Sequence, residues 1–99
     1  LIFKKGCIIY PCWQFEFFKY AADKVWMDLF FCEATLTSAM DRSHSEHSLH
    51  YQGKAWDLRI WHIADDDLII ACTILRDILG TEFQVFRKPD HIHVEFDPN

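Results

Sequence analysis

Lys54-Ala55-Trp56-Asp57-Leu58-Arg59-Ile60 alternates without a break: Trp56, Leu58 and Ile60 are apolar, and Ala55, Asp57 and Arg59 stand between them. Successive side chains of an extended chain leave opposite faces, so this stretch predicts a strand with one face on a core. Asp57 is thereby aimed away from that core. Asp90-His91-Ile92-His93-Val94-Glu95-Phe96 has the same form near the C-terminus. On a strand at 91–96, Ile92, Val94 and Phe96 share one face and His91, His93 and Glu95 the other. A further strand is expected at 82–87, joined to it through Lys88-Pro89-Asp90.

Working outward, Leu68, Ala71, Cys72, Leu75, Ile78 and Leu79 recur at helical spacing after Asp65, Asp66 and Asp67. This predicts an amphipathic helix over 66–79 with acids at its positive end and Gly80 just past its C-terminus. Upstream, Phe15, Phe18, Ala22, Val25, Trp26 and Leu29 place another helix at 12–29. Phe30 to Thr37 then alternates, with Phe30, Cys32, Ala34 and Leu36 on one side, and reads as a strand. Ser38 to Glu46 is polar and aperiodic, a surface loop. Leu1 to Tyr10 reads as an extended arm punctuated by Gly6 and Pro11. The expected fold is α+β: one domain over 1–99, with an antiparallel sheet of about four strands and two main helices on one face. Trp56, Leu58, Ile60, Ile92, Val94 and Phe96 should be buried against the stripe of the helix at 66–79, leaving the opposite face free.

With 51% apolar residues, 16% aromatics and only three glycines and three prolines, the chain is globular in composition. Ten basic against fifteen acidic residues give a net charge of −5 with no Lys/Arg cluster, which argues against nucleic acid. Apolar runs fall far short of the ~20 residues that span a bilayer, so no membrane partner is expected. The opening residues do not have the make-up of a signal sequence, and synthesis in the cytoplasm is expected. Cys7, Cys12, Cys32 and Cys72 lack metal-site or disulfide spacing. Cys32 and Cys72 read as buried small hydrophobes, and a reducing compartment is expected.

Ser48-Leu49-His50-Tyr51-Gln52-Gly53-Lys54-Ala55-Trp56-Asp57, answered by Asp90-His91-Ile92-His93, offers two imidazoles and a carboxylate at fixed places. A catalytic zinc site needs such a set, three protein ligands with the fourth position left open. His50, Asp57 and His93 are the candidates. Gly53 suits a tight turn or a close backbone approach, and Ala55 leaves space on the face of Asp57. His44 and His47, in the polar loop, read as solvated side chains. Ser48 reads as an orienting hydrogen-bonding group, not a nucleophile.

The pattern S-x-H-x-x-G-x-A-x-D with a late H-x-H resembles the zinc peptidases of bacterial cell-wall peptides. These are the D-alanyl-D-alanine carboxypeptidases and the L-alanyl-D-glutamate endopeptidases of phage endolysins, related to the hedgehog signalling domain. Ser48, His50, Gly53, Ala55 and Asp57 meet every fixed position, and the likeness runs from about Thr37 to Asn99. The resemblance implies zinc as cofactor, a peptidoglycan peptide as substrate, action on the cell wall after a separate release step, and a monomer. Asp90 stands three residues before His93, as the acid does in the enzymes, which implies Asp90 as general base and His91 as donor to a developing oxyanion. Period-two geometry objects, because a regular strand would turn Asp90 away from His91 and His93. Related enzymes bind the substrate carboxylate with an arginine near the polar loop, where Arg42 is the stand-in without the usual context. The alternative is a non-catalytic, zinc-bearing peptide- or protein-binding domain of hedgehog type. Hedgehog-like chains carry Ala where Asp90 stands, so this acid favours an enzyme. A purely structural zinc, usually closed by four Cys/His ligands, fits less well.

Overall fold

The structure, a computed structural model, describes residues 1–39 and 53–98. The fold is α+β: two helices and a five-stranded, mostly antiparallel sheet. In chain order the elements are β1 (Ile2–Phe3), α1 (Trp13–Phe30), β2 (Thr35–Ser38), β3 (Ala55–Arg59), α2 (Asp65–Leu79), β4 (Phe83–Arg87) and β5 (His91–Phe96). The sheet order is β1-β2-β3-β5-β4, with β1 parallel to β2 and every other pair antiparallel.

Register explains how the two faces separate. Between β3 and β5, Trp56 stands opposite Val94 and Leu58 opposite Ile92, while Asp57 stands opposite His93 and Arg59 opposite His91. The first two pairs are buried in a core that also contains Phe15, Phe18 and Val25 of α1 and Leu68, Ala71, Cys72 and Leu75 of α2. Both helices therefore cover one face. Phe18 stacks on Trp56 with ring centroids 4.9 Å apart, which fixes α1 over the centre of the sheet. The other pairs occupy the opposite, polar face.

Five expectations need correction. The sheet gains a fifth strand, because the arm at Leu1–Tyr10 contains β1; Ile2 N–H donates to Ala34 O at 2.8 Å and Lys4 N–H to Leu36 O at 2.9 Å. The strand expected at 30–37 is Thr35–Ser38. Helix α1 runs through Phe30 and stops at Phe31, whose left-handed backbone (φ 58°) lets its N–H reach Met27 O. This leaves Phe31 and Cys32 exposed, so Cys32 is not a core residue, whereas Cys72 is buried as expected. Ser38 belongs to β2 and is buried, so the expected loop begins later than 38. Phe96 is only half-buried, against Phe83 and Trp13 at the sheet's end, while Trp56, Leu58, Ile60, Ile92 and Val94 are buried as expected.

β2 and β3 pair irregularly. Leu36 faces Leu58 but Ser38 faces Asp57, so β2 carries one extra residue, Thr37. Its hydroxyl donates to the carbonyl of Asp57 at 3.3 Å. Such bulges bend a strand locally and often lie beside functional sites. Gly53, at the entry to β3, has φ +71°, and a Cβ there would come to 2.4 Å from Tyr10 Cβ. Close approach by the N-terminal arm, together with the left-handed backbone, explains the glycine.

Candidate metal centre

The polar face of β3 and β5 carries the titratable groups in a grid set by strand pairing. Asp57 and His93 are direct cross-strand neighbours, and His91 lies two residues from His93 on the same side. His93 Nδ1 is 2.9 Å from Asp57 Oδ1, and His91 Nε2 is 3.7 Å from the same oxygen. One ligand atom from each of the three lies within 4.8 Å of the others, close enough to converge on a single ion. Asp57 is 9% exposed, so its charge is held in a poorly hydrated place where partners matter.

The far nitrogens are held as well. His91 Nδ1 is 2.6 Å from Asp90 Oδ1, and His93 Nε2 is 2.8 Å from Glu95 Oε1. Each imidazole thus has one nitrogen toward Asp57 and the other on a carboxylate. Metal-ligating histidines are typically oriented in this way, by an acceptor on the nitrogen away from the ion. The donor set of two imidazoles and a carboxylate, with no thiolate, suits zinc among several divalent ions.

No family model, curated protein or solved structure matches the chain. Fold and geometry therefore define the site.

Of the residues singled out in the sequence, the structure brings together Asp57, His93, His91 and Asp90. His50, Ser48, Arg42, His44 and His47 lie outside the described residues. The parity objection to Asp90 is resolved by its position: it precedes β5, its side chain is 87% exposed, and its carboxylate turns to His91 and lines the same cleft as Asp57. The hydrogen bond from His91, together with that ring's charge, holds Asp90 below the usual carboxylate pKa and keeps it ionised.

Glu95 was legible as a member of the polar face but not as a partner of His93. Its position two residues after His93 was the available signal. Replacing Glu95 with glutamine is expected to lower metal affinity by about 10–100-fold while the fold is kept, as loss of an orienting partner usually does. Competition with a chromogenic chelator would measure it, and parental affinity in Glu95→Gln would remove Glu95 from the site.

Burial alone would lower the pKa of His93, but hydrogen bonds to Asp57 and Glu95 and the charge of both acids outweigh it and raise the pKa above 6.5. A raised folded-state pKa gives the metal-free protein stability that is fully present below pH 6.5 and is lost as pH rises through the folded pKa. Metal binding has the opposite sign, because a coordinating histidine must first give up its proton. Chelator-treated protein should therefore lose melting temperature above pH 6.5, while the gap between zinc-loaded and metal-free protein widens. Parallel curves over that range would show that His93 does not bind the ion.

Proposed function

We propose that the chain is a zinc-dependent peptidase that hydrolyses peptide bonds of bacterial peptidoglycan. The observation that carries this reading is the convergence of Asp57, His91 and His93 on one face, with Asp90 and Glu95 behind the two rings. The resemblance of Ser48–Asp57 and His91–His93 to cell-wall zinc peptidases supports the substrate class. His50, Asp57 and His93 hold the zinc in this proposal. When bound, zinc supplies a Lewis acid that polarises a carbonyl and makes water nucleophilic near neutral pH.

The remaining chemistry falls to the chain. Asp90, ionised and at the mouth of the cleft, takes the proton from the attacking water and delivers it to the leaving amine. His91, held through Nδ1 by Asp90, presents Nε2 toward Asp57 and donates a hydrogen bond to negative charge developing on the carbonyl oxygen. A specific distance favours a second arrangement of the same site. His91 Nε2, 3.7 Å from Asp57, is placed to be a ligand itself, with Asp90 as its orienting carboxylate.

Incubating purified peptidoglycan with zinc-loaded protein and identifying new termini by mass spectrometry tests the activity. Asp90→Asn is expected to keep zinc and fold yet lose about 10²-fold or more in turnover. Near-parental turnover in Asp90→Asn would remove Asp90 as the base. Zinc binding with no new termini would instead point to a binding domain of the hedgehog type.

A further inference from the structure

We infer that the outward face of α1 is a dimerisation surface, on which a second copy of this chain packs with its own α1 running antiparallel. The inference is independent of the peptidase reading and starts from a helix that is apolar on two opposite sides. Phe15, Phe18, Ala22, Val25 and Trp26 enter the core. On the other side Trp13, Phe17, Tyr20, Lys24 and Met27 recur at alternating steps of four and three, and the next step reaches Phe31, just past the helix end. Such steps keep side chains in one narrow stripe, the seam along which two helices pack. The stripe rests on its own chain at one end, where Trp13 meets Phe96 at 5.3 Å and Phe17 meets Phe83 at 5.6 Å. Even so, Trp13, Tyr20 and Met27 each keep about half of their surface in water. A helix apolar on both sides is suited to burial on both sides.

Phe31 makes the same point from the backbone. It is 86% exposed and has φ 58°, a region that glycine enters without cost and a bulky side chain avoids. Within one copy the ring thus works against the local backbone and packs on little in return. Contact with a neighbouring molecule gives the ring a reason to be there.

The occupant is a second copy because the stripe is its own complement when reversed, as a two-fold interface requires. With the axis midway between residues 20 and 24, Trp13 meets the partner's Phe31 as an aromatic pair. Phe17 meets the partner's Met27, a ring against a thioether. Tyr20 meets the partner's Lys24, a ring beneath an ammonium. Each contact occurs twice. Lys24 is held at the middle of the seam by Asp28 at 3.1 Å, and Glu16 and Asp23 flank Tyr20 one turn before and after it, so the incoming cation arrives beside acids. A parallel pair would instead set Lys24 against Lys24 in an apolar seam. The area also suffices: a large aromatic buries about 150–250 Å², so Trp13, Tyr20 and Phe31, with Met27 and the polar flanks, bring each copy near the ~800 Å² of a standard interface. Because α1 lies between the sheet and the seam, the two sheets are outermost in the pair. Both metal clusters stay open and face opposite ways.

Sedimentation equilibrium of the full chain over rising protein concentration, in reductant and in both zinc-loaded and chelator-treated form, tests the pairing. A monomer–dimer equilibrium is expected in both metal states. Met27→Glu and Tyr20→Lys, each on an exposed side chain, should raise the dissociation constant about tenfold or more while circular dichroism stays parental. Tyr20→Lys sets two lysines together in the antiparallel pair. Adding Lys24→Glu turns each of those contacts into a Lys–Glu pair and should restore part of the affinity. In a parallel pair the same double variant would place like charges together and weaken association further. If Tyr20→Lys loses helical signal, Met27→Glu carries the comparison. A chain that is monomeric at every concentration would overturn the second copy as occupant and leave the face to a different protein. Dimerisation only with zinc, parental affinity in both single variants, growth beyond a dimer, or a double variant weaker than Tyr20→Lys would overturn it equally.

Discussion

Asp57→Ala protein, dialysed against a weak chelator, is expected to emerge without zinc while the parent retains it. Loss of an orienting partner weakens a zinc site by about 10–100-fold, and loss of a ligand should exceed that. Asp57 is the residue on which both imidazoles converge, so its removal leaves no arrangement of the remaining groups that repeats the site. Two further variants identify the third protein ligand. In the proposed set, His50→Ala loses zinc as Asp57→Ala does and His91→Ala keeps it while turnover falls. The reverse pattern would make His91 a ligand and Asp90 its orienting partner. Equal zinc content in Asp57→Ala and the parent would remove the metal site altogether.

Trp56→Ala is expected to destabilise the fold by about 3–5 kcal/mol, the range for deleting a buried large aromatic side chain. Trp56 is 1% exposed, stacks on Phe18 at 4.9 Å and meets Phe15 at 6.1 Å, so its loss opens a cavity between α1 and the middle of the sheet. Against a total of about 5–15 kcal/mol, this approaches the whole stability of a small domain. Urea unfolding should show the midpoint falling sharply with little change in slope. Phe96→Ala should lose less, because Phe96 keeps part of its surface in water. A Trp56→Ala midpoint equal to the parent's would mean that the α1 contact is not formed.

The elements most legible in the sequence were those whose own periodicity decides their burial. Helices expected at 12–29 and 66–79 are found at Trp13–Phe30 and Asp65–Leu79, and the strand expected at 91–96 is His91–Phe96. Parity along β3 and β5 also placed Asp57, His91 and His93 on one face before any contact was known. The misread segment, 30–34, shows the limit of that method. Phe30, Cys32, Ala34 and Leu36 alternate as a strand would, yet Phe30 ends a helix, and no glycine marks the left-handed residue after it, Phe31. β1 was legible only as an extended arm, not as part of the sheet, since its two residues are held by pairing with a strand more than thirty positions away.

The strict two-face division of β3 and β5 makes chain length in these strands more critical than residue identity. A conservative replacement at Ile92 or Val94 disturbs one side chain. Deleting a single residue there slides every later position to the other side, carrying imidazole and carboxylate toward the apolar layer under the helices and isoleucine or valine toward water. Insertions and deletions between 91 and 96 should therefore be purged far more strictly than substitutions, whereas changes of residue type would follow a two-position rhythm: hydrophobic exchange tolerated at even numbers, none at His93. Descendants of this sequence can vary what the sheet presents, but not the count by which it presents it.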